Sequence, residues 1–434
     1  MRTSSRARLT AWSRVTNRIR LNDAAWLALL VGLALALRLG YALIDGKATL
    51  AWGDEFTYDQ LATNLLAHGC YCFIPGEPSV LRAPLYPAFM AVVYAMLGHS
   101  YLAVVILQAI AGALGAALLA LIGMRITGSR LAGWLAGLMF AVNPLLIFTS
   151  NLLYPETIYL LLLFALLYLW LRLAASPRET PPGMWIVMSV ASGVLLGLSN
   201  LTKPNLTLFP IWLAAWGWIA FRDVRRALVT AVVVGAAMLA TMLPWSLRNL
   251  SATGHFILAS ANSGMNLLQG NNPEVSGGAL DVKNLDPLPG LTEAERDAAY
   301  WQMGMQWITS HPGDFIRLIP HKLYKFFSPL ETSNRGTLAS SLGGPLVAGF
   351  SAHYLLAIAG VVLTAKQWRE WTLPYMLIVY PMLLTIVFYG GTRYGLVVQP
   401  FLMLFASVAL AKIIQHVWPF AQKMRRGHGT PWRQ

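Results

Sequence analysis

The chain has 434 residues, of which 56% are hydrophobic and only 12% charged, against about 25% charged in a soluble domain. That balance excludes an ordinary water-soluble enzyme and, with repeated apolar runs of about 20 residues, reads as a polytopic membrane protein. The net charge of +14 does not call for nucleic acid, because Lys and Arg collect in alternate loops as the positive-inside rule requires.

Residues 1–23 form a basic flank: Arg2, Arg6, Arg8, Arg14, Arg18 and Arg20 stand in the first 20 positions with no acid among them. The first apolar run, Ala24–Ile44, is too long for a signal-peptide core and reads as a retained span leading outward. The next stretch, 45–100, is the first external loop. In it Tyr58, Leu61, Ala62, Leu65 and Leu66 form one apolar stripe of a short helix. Gly69 ends that helix. At this length it suits an interfacial position. Cys70 and Cys72 make no disulfide framework, and a bridge over two residues would be strained. With His68 they lack metal-ligand spacing. Pro84–Leu97 is either an interfacial helix or part of a broken span.

Further spans are expected at Tyr101–Met124, Leu131–Ser150, Thr157–Leu173, Trp185–Leu201, Asn205–Phe221 and Ala227–Trp245. Residues 247–343 are more polar and would form an external cap. Within it Gly270–Pro273 and Ser276–Gly278 read as turns. Thr292 with Glu295 reads as a capping box opening a helix through Trp307. Pro320–Phe327 reads as a basic, aromatic interfacial helix. Three spans follow, Pro345–Thr364, Leu373–Tyr389 and Tyr394–His416, within the C-terminal unit 344–416, and then a basic tail, 417–434. The total is roughly ten transmembrane helices with both termini inside. The first catalytic unit would be 24–246.

This sorting places Asp54, Glu55, Arg82, Glu156, Lys203, Arg248 and Arg393 at the outer ends of spans. Outward-facing cations oppose the positive-inside bias, and an anionic ligand would account for them. Each alone could instead be a headgroup snorkeller. Of the acidic pair, one carboxylate could take a proton from an acceptor while the other places it; Asp54 could equally be a helix N-cap. Tyr58 is a candidate substrate contact on the same helix. Glu156, in Tyr154-Pro155-Glu156, is either a solvated acid at a turn or the partner that orients an arginine. Asn271, Asn272 and His255 read as turn and surface residues. There is no Walker loop, dinucleotide fingerprint or HExxH motif.

The motif order resembles the bacterial C-type membrane glycosyltransferases related to protein O-mannosyltransferases and the lipid A aminoarabinose transferase. The pieces that carry the resemblance are GDEFTYDQLATNLLAHG, LRAPLYPAFMAVVYAMLG, NLLYPETIY, LTKPN, LPWSLRNLSATGHFILASANSGMNLLQGNNP, AERDAAYWQMGMQWITSHPGDFIRLIPHKLYKFF and TRYGLVVQPFLMLFA. The resemblance implies Asp54 as catalytic base and Glu55 placing the acceptor. It implies Arg82 and Arg248 on the lipid phosphate and Arg393 near the donor. It also implies a polyprenyl-phosphate-sugar donor, transfer on the outer side of a bacterial inner membrane with inversion, and a lipid, glycan or protein acceptor. No cofactor is required and no metal site is expected, although a divalent ion is compatible with the class. The chain departs from larger members in having fewer spans and no sizeable soluble C-terminal domain. A flippase of lipid-linked sugars shares the spans and the anion site and is the alternative. It would show an internal repeat and intramembrane charges, whereas Arg38 is nearly alone at mid-span.

Overall fold

The computed structural model describes residues 21–50, 53–175, 180–275, 288–328 and 338–427. The arginines of the basic flank, Arg178, the turn at 276–278 and residues 428–434 lie outside them. In lipid a backbone must satisfy its own polar groups, so apolar runs become helices. In chain order these are α1 (Leu21–Asp45), α2 (Gly53–His68), a hairpin of β1 (Cys72–Ile74) and β2 (Glu77–Pro78), α3 (Leu85–Leu97), α4 (Tyr101–Thr127), α5 (Arg130–Val142), α6 (Pro144–Ser150), α7 (Glu156–Ala175), α8 (Pro182–Thr202), α9 (Phe209–Phe221), α10 (Val224–Thr253), α11 (Ser263–Gly270), α12 (Glu293–Ser310), α13 (Pro312–Phe327), α14 (Leu338–Thr364), α15 (Thr372–Val387), α16 (Thr392–Gly395) and α17 (Gln399–Gly427).

Among the described residues, six helices are long and apolar enough to cross a membrane: α1, α4, α7, α8, α10 and α17. The bent pair α5 and α6, at 55°, makes a seventh. On length and composition among the described residues, the expected ten is not reached. The runs expected at 205–221 and 373–389 hold helices of only 13 and 16 residues. At 1.5 Å per residue these reach roughly 20 and 24 Å, less than the ~30 Å hydrocarbon core. Pro204 disfavours helix at Lys203, where α8 ends; α9 starts only at Phe209, with Pro210 in its first turn, and Arg222 ends it at φ +53°. The span expected from Tyr394 is counted as α17, beginning later at Gln399 after a break that follows α16, and the run expected at 345–364 lies within the 27-residue α14, which is not among the six.

The bend between α5 and α6 has a local cause. Pro144 has no N–H to give, and Asn143 Oδ1 restarts the helix by accepting from Leu146 N at 3.0 Å. The carbonyls freed at the break are Phe140 O and Ala141 O. Arg38, fully buried in α1, donates to them at 3.3 and 3.1 Å. Gly112 makes room for this side chain, since a Cβ there would lie 2.6 Å from Arg38 Nε. The one mid-span charge singled out in the sequence is therefore the cap of a broken span.

Two GxxxG pairs set close contacts between neighbouring spans. Gly133 and Gly137 of α5 press on α4, where added Cβ atoms would lie within 2.8 Å of Ala120 O and Ala116 O. Gly193 and Gly197 of α8 press on α10 in the same way, against Val234 O and Thr241. The main core runs through α1, α4, α5, α7 to α10, α15 and α17. A second core joins α2 and α3 to the N-terminal part of α4, with Tyr58 edge-on to Tyr86 at 5.1 Å between ring centres. The ambiguous stretch at 84–97 is thus a separate 13-residue helix beside α2.

Candidate active site

Asp54 stands in the first turn of α2, and Glu55 follows it. Successive residues on a helix point about 100° apart. Glu55 lies three positions before Tyr58 and joins the buried face of Glu55, Tyr58, Leu61 and Ala62. Its Oε1 accepts from Lys47 Nζ at 2.7 Å and from Leu153 N at 2.9 Å. The expectation that Glu55 places an acceptor is corrected here: the helix turn carries it away from the cavity, into a buried ion pair. Asp54 is not an N-cap either, since the helix begins at Gly53.

Asp54 instead meets residues from distant parts of the chain. Its Oδ1 accepts from Arg82 Nη2 at 2.6 Å, and its Oδ2 accepts from Arg393 Nη1. Arg393 Nε donates to Glu156 Oε1 at 2.5 Å, and Lys203 Nζ donates to the same oxygen at 3.0 Å. Three cations and two carboxylates thus form one chain of contacts with a net charge of +1. Burial alone would raise the Asp54 pKa, but Arg393 and Arg82 beside it outweigh that. The carboxyl is held below its ordinary value and stays ionised.

Each member is held from behind. Arg82 lies between the hairpin and α3, and Tyr71 Oη donates to Arg82 O and Ala83 O at 3.1 Å each. Lys203 caps the C-terminus of α8, with its ammonium 4.8 Å from the centre of the Tyr394 ring. Glu156 opens α7 and is 1% exposed, so it is the buried partner of an arginine and not a solvated acid. Arg393 sits on α16 over the Tyr154 ring at 4.0 Å. Gly390 and Gly395 flank it, and added Cβ atoms there would lie 2.0 and 1.8 Å from Lys322 O and Phe326 O. Only glycine lets α16 sit this close to α13.

The group opens into a cavity of about 520 Å³, within the ordinary range of small-molecule sites. Asp54, Tyr58, Arg82, Lys203, Arg393 and Tyr394 line its ionic part. Leu208, Leu258, Tyr380, Leu384 and Phe388 line an apolar part, and Asn262 just before α11, with Asn266 and Gln269 of α11, line a third, neutral and polar. The site can therefore hold an anion joined to both an apolar and a polar group.

Arg248 is the second correction. It donates to Ser79 O at 2.6 Å and to Tyr71 O at 2.9 Å, stacked over Trp245. It ties α10 to the first loop and does not line the cavity. Asn271, read as a turn residue, is buried and donates to Leu267 O and Val387 O. Cys70 and Cys72, not expected to pair, are joined as a disulfide across Tyr71, with their Cα atoms 5.4 Å apart. Among the described residues no three His, Cys, Asp or Glu side chains cluster to hold a metal. The facing oxygens of Asp54 and Glu156 are taken by Arg and Lys. Tyr394 and the α11 amides escaped the sequence reading. Tyr394 adjoins Arg393, and the amides follow a 4, 3 spacing that marks one helix face.

The architecture defines a class, an all-α polytopic membrane protein with its candidate site at one end of the helices. Residues 81–247 match the family model described as dolichyl-phosphate-mannose-protein mannosyltransferase. Among solved structures, the fold is similar to the archaeal oligosaccharyltransferase AglB from Archaeoglobus fulgidus in complex with an inhibitory peptide and a dolichol-phosphate (TM-score 0.60, 12% identity). It is also similar to ArnT from Cupriavidus metallidurans bound to undecaprenyl phosphate (TM-score 0.53, 19% identity). The alignments cover 95% and 89% of this chain, but 53% and 60% of those two. No curated protein sequence matches. At these identities the likeness establishes an all-α polytopic membrane fold.

Proposed function

We propose that this protein is an inverting glycosyltransferase that moves a sugar from a polyprenyl phosphate to an acceptor hydroxyl or amine at the outer face of a bacterial inner membrane. The observation that carries the reading is Asp54 shared between Arg82 and Arg393 over a cavity with both ionic and apolar walls. A prenyl tail suits the apolar wall, and the phosphate suits the cations. The polyprenyl phosphates named with AglB and ArnT support the same donor class. In this reading residues 24–246 and 344–416 build the membrane unit, 247–343 the outer cap, and both termini are cytoplasmic.

The charge of the site matches the reaction. A sugar phosphodiester brings −1 to a site of +1. Its phosphate competes with Asp54 for Arg82 and Arg393, which frees the carboxylate as a base. The acceptor oxygen bonds to the anomeric carbon, its proton passes to Asp54, and the carbon–oxygen bond to phosphate breaks with its electron pair on phosphate. Asp54 is then neutral and the site carries +2, opposite a phosphate monoester of nearly −2. Lys203 and Glu156 hold Arg393 in place, and no cofactor enters the step. The acceptor is a lipid, glycan or protein.

The test uses purified protein in nanodiscs with a panel of undecaprenyl-phosphate sugars and acceptor extracts. Wild type should consume one donor and release undecaprenyl phosphate. Asp54→Asn should lose ~10²–10⁴-fold in turnover while binding donor at least as tightly, because phosphate no longer competes with a carboxylate. Arg82→Ala should weaken donor binding. Full turnover by Asp54→Asn would sink the mechanism. Donor movement across the bilayer without consumption would favour a flippase.

A further inference from the structure

We propose that α11 is the sugar-recognition element of this cavity and that it selects an uncharged, polyhydroxylated sugar. The proposal rests on the glycosyltransferase reading and adds the class of donor to it.

Asn262, at the N-terminal boundary of α11, Asn266 and Gln269 are spaced by four and three residues, so they share one face, and all three line the cavity. The opposite face is apolar and fixed. Leu268 packs with Tyr300 of α12. Leu267 lies against Gly304, where an added Cβ would be 3.0 Å from its Cγ. Asp297 of α12 accepts from Gly264 N at 2.7 Å and Met265 N at 3.1 Å, which holds the start of α11. A Cβ on Gly264 would lie 1.8 Å from Asp297 O, so the two helices touch through backbone. The rotation of α11 is therefore set, and its amide face is presented as a rigid surface. The side chain of Asn266 makes no hydrogen bond within the described residues.

Carboxamides both donate and accept, which matches sugar hydroxyls. Charge excludes the alternatives. Asp54 is the one carboxylate lining the cavity among the described residues, and two arginines hold it. The other nearby acids are turned away: Asp297 to the α11 backbone, Glu156 to Arg393 and Lys203. The amide face itself carries no carboxylate to pair with an ammonium sugar, and the one acid lining the cavity, Asp54, is the base that takes the acceptor proton in the proposed step. A uronate would be drawn to Arg82, Lys203 and Arg393 in competition with the phosphate.

The experiment measures dissociation constants in nanodiscs for undecaprenyl phosphate alone and carrying a neutral hexose, an amino sugar or a uronic acid. Wild type should prefer the neutral sugar. Asn266→Ala and Gln269→Ala should each weaken the hexosyl lipid about tenfold and leave bare undecaprenyl phosphate unchanged, while Arg82→Ala weakens all four ligands. Asn266→Asp should shift preference toward the amino sugar, the conservative change that a merely structural asparagine would not convert into specificity. If bare undecaprenyl phosphate binds in an Arg82-dependent way but neither amide variant alters sugar discrimination, or wild type prefers a charged sugar, the sugar-site proposal falls and the donor-phosphate site stands. If bare undecaprenyl phosphate does not bind, the glycosyltransferase reading fails and takes the sugar site with it.

Discussion

Glu55 is a structural acid beside a candidate catalytic one, and the difference is measurable. Its side chain and that of Lys47 are 0% and 4% exposed, and the same carboxylate oxygen also receives Leu153 N–H. Glu55→Ala leaves an ammonium and an amide N–H buried without their partner. Removing one member of a buried pair typically costs about 3–5 kcal/mol. We expect a clear fall in the thermal unfolding midpoint in detergent, with activity lost only as the fold is lost. A Glu55→Ala protein with wild-type stability and no turnover would return Glu55 to the chemistry. The adjacent Asp54 carries the opposite signature, since its oxygens face two arginines that a donor phosphate can satisfy in its place.

The helix pairs impose their own limits. At Gly193 and Gly197 the backbone of α10 leaves no volume for a side chain, with Ala237 Cβ and Thr241 Cβ only 2.5 and 2.7 Å from ideal Cβ positions. Gly197→Leu should force α8 and α10 apart, at a cost of about 1–3 kcal/mol or more. Reduced yield of folded protein and early elution as aggregate in detergent chromatography would report it, and wild-type behaviour would contradict the close packing. The junction of α11, α13 and α15 is ionic. Buried Lys322 donates to Asn271 Oδ1 at 2.8 Å and to Ile386 O at 3.0 Å, near the end of α15. Burial pushes its pKa down to about 8, against about 10.4 in an unfolded chain. Between those values the unfolded state binds more proton, so this residue's contribution to stability rises with pH there and is flat below about 8. The unfolding midpoint of wild type minus that of Lys322→Met should grow between pH 8 and 10. A constant difference would mean that Lys322 does not titrate as its burial implies.

At the scale of the molecule, the site is assembled by ties between the first loop and the later chain. Arg248 of α10 holds Ser79 O and Tyr71 O, while Glu293 of α12 accepts from Ser79 Oγ at 3.0 Å and Val80 N at 2.6 Å. The strap so fixed carries Arg82 toward Asp54. Arg248→Ala should therefore raise the donor KM with little change in kcat. Arg248→Lys should rescue poorly, because one ammonium does not reproduce a planar fork over two carbonyls. Loss of kcat at unchanged KM would place Arg248 in the chemistry after all.

The helical membrane class, the short α2 with its stop at Gly69, and the Thr292–Glu295 capping box were legible in sequence because each depends on local chemistry. Apolar length, a positive-φ glycine and a cap three residues from its partner act within one or two turns. The site was legible only as a set of outward charges. Which of them converge depends on contacts across 339 residues for Asp54 and Arg393 and 237 for Glu156 and Arg393. Helix rotation then decided the rest. One step of about 100° separates Asp54, at the cavity, from Glu55, in the core. The direction taken by the guanidinium of Arg248 separates a loop tie from a phosphate ligand. Composition and spacing carry no information about such rotations, because packing against distant helices sets them.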